Sequence, residues 1–437
     1  MKPLHVGLLG LGTVGGGTLR ILSRNEQEIT RRSGRPIRIK EICARDYDAD
    51  AVGSLEGITM QDRPEALVDS PENDIVVELF GGIEPARTLV LRAIAKGKHV
   101  VTANKALIAK HGNEIFQAAR DKGVIVAFEA AVAGGIPIIK ALREGLSANR
   151  IQWLAGIING TGNFILTEME HKGRTFADVL AEAQKLGYAE ADPSFDVDGI
   201  DAAHKLAILA AIAFGKPLQF DKVYTEGIAD ITPADVAYAD HLGYRIKHLG
   251  IALRTEAGIE LRVHPTLIPK GRLLSSVDGV MNAVLVKGDA VGSTLYYGAG
   301  AGAEPTGSAV VADLIDISRV STAAPENRIP YLAFQPDAIS DIPILPMSKV
   351  RTAYYLRMLA VDRPGVLAEV ARILGNRGIS IEAVIQRQPP PDVVDVQLIM
   401  LTHPVEEGYM WEAIDEIERL DGINGRVTRI RVEQFND

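Results

Sequence analysis

Short apolar runs alternate with amphipathic helical patterns along the first third of the chain. Strands of a parallel sheet are buried on both faces and read as near-continuous Val and Ile runs, as DIVVELF and KHVVTANK do. This alternation predicts βαβ units and an α/β nucleotide-binding domain of the Rossmann type over residues 1–134. The predicted strands are His5–Leu9, Ile37–Cys43, Asp74–Phe80, His99–Thr102 and Val124–Phe128, and the predicted helices are Thr13–Ser23, Pro85–Lys96 and Lys105–Lys122.

The pattern changes after about Gly134. Helical patterns dominate from Ile136 to Phe214 and β-rich segments follow, which predicts an α+β domain over residues 135–304 with a largely antiparallel sheet. A further helix over residues 305–319 begins with proline, a favoured first helical residue. We expect this helix to pack back on the nucleotide-binding domain.

Prolines recur without a clear period over residues 320–350, which is typical of a linker. We expect few contacts to cross this boundary. Residues 351–437 then follow the order strand, helix, strand, strand, helix, strand. This order predicts a compact βαββαβ (ferredoxin-like) domain.

The composition excludes several classes of partner. Of 437 residues, 47% are hydrophobic and 24% charged, as in a folded globular enzyme of two to four domains. The net charge of −9 argues against nucleic acid and against an anionic membrane surface, because both require a basic face. The longest apolar helix candidate, Leu206–Phe214, is far shorter than the roughly 20 residues of a membrane span. The single cysteine, Cys43, forms no intramolecular disulfide, which favours the cytoplasm.

A glycine-rich turn follows the first predicted strand. Gly10, Gly12 and Gly15 form G-x-G-x-x-G, with Thr13 and Val14 inside the motif, and a helix begins there. Glycine permits a tight turn and the close approach of a pyrophosphate to the helix N-terminus. Glycines in turns are common, but the strand before and the βαβ units after this motif favour dinucleotide binding.

The end of the second predicted strand bears on which dinucleotide binds. Arg45 lies where an acidic residue would accept hydrogen bonds from the adenosine ribose, and Asp46 follows it. Arginine offers a fork of donors to a 2′-phosphate, so NADP is favoured. A solvated surface arginine is the alternative, and Asp46 leaves room for NAD.

A cluster of carboxylates precedes a lysine in the middle of the chain. Converging carboxylates would hold a cationic amino group, and a buried lysine could exchange a proton with an alcohol oxygen. The alternative is a salt-bridged surface helix, because Asp201 and Lys205 are spaced i,i+4; the register of a calcium loop is not met. The cluster consists of Glu190, Asp192, Asp196, Asp198, Asp201 and Lys205.

This segment resembles the signature of homoserine dehydrogenases, and the resemblance extends from about His5 to Arg319. It implies an NAD(P)-dependent oxidoreductase that interconverts L-homoserine and L-aspartate 4-semialdehyde, with residues 135–304 as its catalytic and dimerisation domain. The matching positions are Ala183, Gly187, Asp192, Pro193, Asp196, Gly199, Asp201 and Lys205, together with TANK at Thr102–Lys105, NGTGNFIL at Asn159–Leu166 and GAGAGAEPTGSAV at Gly298–Val310.

The resemblance also implies roles for individual residues. Lys205 would be the acid–base lysine, and Lys105 would lie between the nicotinamide and the substrate. Gly302 would approach the cofactor. The residues around the polar groups of homoserine would be Glu190, Asp196, Asp201 and Thr161.

The family binds a monovalent cation, usually sodium, near the hinge between its domains. The corresponding segment here is EAAVAGGI, in which mostly backbone carbonyls would be the ligands. Structural glycines at a domain hinge are the alternative explanation. The implied ligands are Glu129, Val132, Gly134 and Ile136.

The C-terminal unit resembles an ACT domain at VDRPGVLAEVARILGNRGISIEAV. Gly365 would let the strand-to-helix loop approach a ligand, and Asn376 with Gly378 would shape the turn after the helix. In homoserine dehydrogenases this module is associated with feedback inhibition by L-threonine. A dimerisation module without a ligand is the alternative, and we expect a homo-oligomer, a dimer or a tetramer.

Two other functions stay open. One is a Rossmann dehydrogenase for a different amino or keto acid, which the carboxylate cluster and Lys205 disfavour. The other is a catalytically silent amino-acid sensor, which has no use for Lys105 and Lys205.

Overall fold

The computed structural model describes residues 2–47, 52, 54–386 and 395–435. The strands are β1 Leu4–Leu9, β2 Ile37–Cys43, β3 Thr59–Met60, β4 Ile75–Glu78, β5 His99–Thr102, β6 Val126–Ala127, β7 Ile151–Ile157, β8 Tyr224–Thr225, β9 Tyr244–Arg254, β10 Ile259–Pro269, β11 Met281–Gly288, β12 Gly292–Ala299, β13 Arg351–Val361, β14 Ile381–Gln386, β15 Asp395–Thr402, β16 Val405–Glu406 and β17 Ile423–Val432. The helices are α1 Thr13–Arg24, α2 Glu26–Ser33, α3 Pro64–Asp69, α4 Ala86–Ala95, α5 Lys105–Lys122, α6 Ile138–Lys140, α7 Gly160–Lys172, α8 Phe176–Lys185, α9 Ser194–Val197, α10 Ile200–Phe214, α11 Pro233–His241, α12 Ala303–Val320, α13 Val366–Asn376 and α14 Glu407–Ile417.

The chain forms two compact units, each built from three separate segments. Unit 1 comprises Met1–Leu154, Ala203–Val223 and Val280–Ile342. Unit 2 comprises Ala155–Ala202, Tyr224–Gly279 and Pro343–Asp437. In the part of the chain that the structure describes, no helix has the length and apolar character needed to cross a membrane.

Unit 1 contains a six-stranded parallel sheet in the order β3-β2-β1-β4-β5-β6. This is the doubly wound order of a Rossmann domain, and it confirms the fold predicted for the first third of the chain. Helix α12 packs against α1 over the same core, to which Val310 and Leu314 contribute. The two helices approach so closely that a Cβ at Gly17 would lie 2.0 Å from the Ala303 carbonyl oxygen.

The first part of the proline-rich stretch, residues 321–342, belongs to unit 1 and is bonded to it. The Arg328 guanidinium donates to the carbonyls of Gly123 and Ala323 at 2.8 and 3.1 Å. The Tyr331 hydroxyl donates to the Val124 carbonyl at 2.7 Å, and its ring stacks on Phe116 with centroids 4.9 Å apart. Residues 321–342 are therefore held to unit 1 by specific hydrogen bonds and a ring contact, although they form little regular structure.

Unit 2 combines the long antiparallel pair β9–β10 with the C-terminal module, residues 351–437. The module follows the predicted βαββαβ order, with β16 added, and its strands pair in the order β17-β13-β15-β14. Strand β17 also pairs in parallel with β10, through Thr266↔Arg431 and Leu267↔Val432. Tyr355 and Ile430 share a core with Ile165 outside the module. The expectation that few contacts cross this boundary is wrong, because an edge strand and an apolar sheet face both need a partner.

Candidate active site

The glycine-rich turn of unit 1 joins β1 to α1. Gly10 has φ +96°, which favours glycine, and a Cβ at Gly15 would lie 2.4 Å from the Gly10 carbonyl oxygen. At Gly12 a Cβ would have no described atom within 4 Å. Gly12 is exposed and immediately precedes α1, so the amides of Thr13 and Val14 open onto accessible space. A pyrophosphate could approach this helix N-terminus closely. Arg45 and Asp46 are both exposed just after β2.

Lys105 is the first residue of α5, and its neighbours in TANK fix where that helix begins. The Asn104 side chain accepts from the Leu107 amide at 3.0 Å and donates to the Gly82 carbonyl at 2.6 Å. Asn104 thereby caps the helix and ties its start to the loop after β4. Lys105 is half-buried at this edge of the sheet.

Glu78 is a buried carboxylate beside TANK that the motifs in the sequence did not single out. It ends β4 and is fully buried, and its carboxylate accepts from the Thr102 hydroxyl at 2.6 Å and from the Gly81 amide at 3.0 Å. Burial raises the pKa of Glu78 above its ordinary value, although these hydrogen bonds act in the opposite direction. Its signal in the sequence is a carboxylate in the middle of the apolar run IVVELF.

Two of the predicted substrate carboxylates lie together in unit 2. The Asn159 amide donates to Asp196 Oδ1 at 2.7 Å and to Asp201 Oδ2 at 2.8 Å. The side-chain oxygen of Asn159, Oδ1, accepts from the backbone amide of Gly162 at 2.7 Å and so caps α7. Asn159 therefore holds the two carboxylates beside the helix start. Asn159 falls in the motif NGTGNFIL, but the resemblance implied no role for it.

The rest of the acidic cluster is more dispersed. Glu190, Asp192 and Asp198 are exposed, and Asp192 accepts from the Ser194 hydroxyl at 2.6 Å, which caps a local turn. Thr161 is buried and its hydroxyl donates to the Tyr188 carbonyl at 2.6 Å. The structure thus brings Asp196 and Asp201 together and leaves Glu190 at the surface.

Helix α10 carries both Asp201 and Lys205, one turn apart. The two residues are only 3% and 9% exposed, and the residues from Asp201 to Phe214 are all buried. The alternative of a salt-bridged surface helix is therefore wrong, because a surface helix keeps one face in water.

The predicted cation segment lies in unit 1 around Glu129. The Glu129 carboxylate accepts from the Ile139 and Lys140 amides, both at 2.9 Å. The backbone amide of Glu129 donates to Asp313 Oδ2 at 2.8 Å. Burial, and then the charge of Asp313, raise the pKa of Glu129 to about 7. Gly134 has φ +46°, and a Cβ there would lie 2.5 Å from the Gly300 carbonyl oxygen. Among the described residues, no group of three or more His, Cys, Asp or Glu could hold a metal ion.

Comparison with known proteins decides the family. Three family models match: "Homoserine dehydrogenase, NAD binding domain" at residues 10–129, "Homoserine dehydrogenase" at 137–315 and "ACT domain" at 354–408. The homoserine dehydrogenase of Pseudomonas aeruginosa is 66% identical over 436 residues, covering 100% of both chains, and that of Neisseria gonorrhoeae is 55% identical over 437 residues with the same coverage. The chain belongs to the homoserine dehydrogenase family. Its members are oxidoreductases, so the family and class predicted from the motifs are confirmed.

Solved homoserine dehydrogenases share the fold. The enzyme from Thiobacillus denitrificans is 65% identical and covers 100% of this chain and 99% of its own, with a TM-score of 0.95. The Staphylococcus aureus enzyme at pH 7.5 is 32% identical and covers 99% of each chain, with a TM-score of 0.76. A hyperthermophilic archaeal homoserine dehydrogenase in complex with NADPH is 27% identical and covers 74% of this chain and 99% of its own, with a TM-score of 0.63.

Proposed function

We propose that this chain reduces L-aspartate 4-semialdehyde to L-homoserine with NAD(P)H, reversibly, in the biosynthesis of threonine, methionine and isoleucine. The observation that carries the proposal is the pair Asp196 and Asp201, held by Asn159, with the buried Lys205 one turn along α10. Two adjacent carboxylates suit the ammonium group of an amino-acid substrate, and a lysine suits proton exchange with its alcohol oxygen.

In the proposed mechanism the bound nicotinamide supplies the hydride. Asp196 and Asp201 bind the substrate ammonium, and Glu190 and Thr161 complete the contacts to its polar groups. Lys205 gives a proton to the forming alkoxide, directly or through water, and takes it back in the reverse reaction. Lys105, whose position the Asn104 cap fixes, stabilises the negative charge that develops on the oxygen.

The proposed dinucleotide site consists of the β1–α1 turn, Lys105 and two further residues. Gly302 has φ +129° and precedes α12, so it can approach a ligand through its backbone. Arg45 would bind the 2′-phosphate of NADP, while NAD is the second candidate because Asp46 lies beside it. The members from the turn are Gly10, Gly12, Thr13, Val14 and Gly15.

A monovalent cation such as sodium fits the interior charge around Glu129. Three carboxylates outnumber two cations there, and Lys140 Nζ lies 3.6 Å from Asp313. The carboxylates are Glu129, Asp313 and Asp316, and the cations are Lys140 and Arg143. An added single positive charge would balance this excess of negative charge. The proposed ligands are Glu129 and the carbonyls of Val132, Gly134 and Ile136.

L-Threonine is the proposed effector and the C-terminal module its binding site. Gly365 has φ +101° and precedes α13, so the loop can approach a ligand through its backbone. We further propose a cytoplasmic homo-oligomer, a dimer or a tetramer, which analytical ultracentrifugation would measure.

The decisive experiment follows NADPH and NADH oxidation by absorbance with L-aspartate 4-semialdehyde, with and without L-threonine. We expect turnover with the semialdehyde and not with other amino- or keto-acid aldehydes of similar size. Preference for a different aldehyde would support a Rossmann dehydrogenase for another amino or keto acid. Absence of turnover with every aldehyde would support a catalytically silent amino-acid sensor. Insensitivity to millimolar threonine would leave the module as an assembly element.

A further inference from the structure

Strand β17 of the C-terminal module carries two arginines that contact a glutamate outside the module. Arg431 is fully buried, and its guanidinium donates to Glu226 Oε2 at 3.0 Å. Arg429 donates to the same oxygen at 3.1 Å. Both arginines also pair with Glu407 of α14, which is fully buried. Two cations and two anions thus form one nearly neutral cluster in the interior of unit 2.

The charges in this cluster keep Glu226 ionised. Burial raises the pKa of the Glu226 carboxyl, but Arg431 and Arg429 outweigh burial, so its pKa lies below the ordinary value. The Tyr224 hydroxyl donates a further hydrogen bond to Glu226 at 2.8 Å. Removing either arginine would leave a buried anion with fewer partners, which is costly.

The backbone around Glu226 reaches the 197–199 turn, which joins Asp196 to Asp201. The Ile228 amide donates to the Val197 carbonyl at 3.0 Å. A Cβ at Gly227 would lie 2.8 Å from that same carbonyl oxygen, so the two backbones are in direct contact. The segment that contains Glu226 therefore forms one wall of the turn.

His248 forms a second link between Glu226 and the turn. Its Nε2 donates to the Glu226 carbonyl at 3.0 Å in the tautomer that fits this bond. The same edge of the ring lies against the turn, because a Cβ at Gly199 would come within 3.1 Å of His248 Cε1 and 3.2 Å of Nε2. A shift of Glu226 would therefore displace both the ring and the backbone that support the turn.

We propose that Glu226 is a positioning residue for Asp196 and Asp201, and that its own position depends on Arg429 and Arg431 of the C-terminal module. The inference rests on the proposed function for the role of the two aspartates. It makes the module part of the support of the substrate site, not only a separate regulatory attachment.

The test compares Glu226→Gln with a matched control, Asp235→Asn. Asp235 is fully buried, whereas the Glu226 side chain is 26% exposed, and it also pairs with an arginine of the module, since Arg357 Nε donates to it at 2.6 Å. Its hydrogen-bond partners Thr232, Tyr355 and Arg357 lie outside the 197–199 turn. Both variants weaken an ion pair between the module and the rest of unit 2, so a purely structural role predicts an effect at least as large for Asp235→Asn as for Glu226→Gln.

We expect Glu226→Gln to raise the KM for L-homoserine about tenfold, the size of one charge-assisted hydrogen bond, with the KM for the dinucleotide unchanged. Asp235→Asn should lower the melting temperature without this KM change. Arg429→Met should reproduce the Glu226→Gln pattern, and Arg429→Lys should restore it in part. If Glu226→Gln and Asp235→Asn have the same KM for L-homoserine, the inference is wrong. The proposed function would still stand if the wild-type protein turns over homoserine.

A second readout does not depend on activity. Amide hydrogen exchange of the unliganded proteins should increase in residues 194–202 in Glu226→Gln and stay at the wild-type rate there in Asp235→Asn. If the exchange of this segment is the same in both variants, Glu226 does not position the turn. If wild-type protein turns over no homoserine, the proposed function fails, and the exchange experiment still decides whether Glu226 supports the turn.

Discussion

Replacing Asn159 with alanine tests the candidate substrate site most directly, because one side chain bonds both carboxylates. The change removes the hydrogen bonds to Asp196 and Asp201 at 2.7 and 2.8 Å. Hydrogen bonds to charged groups contribute about 1.5–3 kcal/mol each. It also removes the cap of α7, which contributes about 1 kcal/mol.

The expected result is a defect in substrate binding. If the equivalent of one such bond, about 1.5–3 kcal/mol, is lost from binding, the KM for L-homoserine rises roughly 10- to 100-fold. The two carboxylates would repel each other without the amide between them and adopt a poorer arrangement for an ammonium group. The KM for the dinucleotide should stay within about twofold, because the Asn159 side chain bonds Asp196, Asp201 and Gly162, which lie outside the glycine-rich turn.

Asn163→Ala is the matched control. Asn163 lies one turn along the same helix and is also buried, and its amide donates to the carbonyls of Val277 and Gly279 at 3.1 and 2.9 Å. Its loss should lower stability to a similar extent and leave the homoserine KM near the wild-type value. The measurements are initial rates of NADPH formation and thermal unfolding of both variants. A homoserine KM that is unchanged in Asn159→Ala, or raised equally in both, would refute the assignment.

Three further predictions concern other parts of the molecule. Lys205→Ala should lower turnover by roughly 10²–10⁴-fold, the usual contribution of a positioned acid–base group, and near wild-type rates in the folded variant would remove Lys205 from the mechanism. Arg45→Asp should shift the ratio of kcat/KM for NADPH over NADH toward NADH, and an unchanged ratio would show that Arg45 does not contact the 2′-phosphate. Burial lowers the pKa of His248 from 6.5 to about 4, so the unfolded state binds the proton more tightly and stability falls as pH decreases through this range. His99 is shifted in the same direction, so the test compares proteins. Denaturant unfolding should show a loss between pH 7 and pH 5 that is about 2 kcal/mol larger in the wild-type protein than in His248→Gln, and an equal loss in both would contradict the prediction.

The sequence was most informative where structure is local. The Val and Ile runs, the glycine turn and the helix patterns of unit 1 depend on neighbours within about 20 residues, and the parallel sheet follows from them. The buried character of α10 was harder to predict, because the i,i+4 spacing of Asp201 and Lys205 also suits a surface helix. Its continuous apolar residues after Lys205 were the signal against that alternative.

Features that depend on distant partners were missed. Nothing near Arg431 in the sequence indicates that β17 pairs with β10, since the choice of a partner for an edge strand is made by the whole fold. Asn159 was not assigned a role because its partners lie 37 and 42 residues away. The proline-rich stretch predicts few contacts across the boundary, yet truncation before the C-terminal module would expose Ile165 and leave Glu226 without its arginines.

The packing of α12 on α1 constrains how the chain can fold during synthesis. Gly17 and Ala303 are in van der Waals contact, yet almost 300 residues separate them along the chain. At about 5–20 residues per second, the ribosome takes roughly 15–60 s to reach α12 after completing α1. During that interval the apolar side of α1 is not yet packed against α12 and stays exposed. We therefore expect chaperones that bind nascent chains to bind the nucleotide-binding domain at this stage.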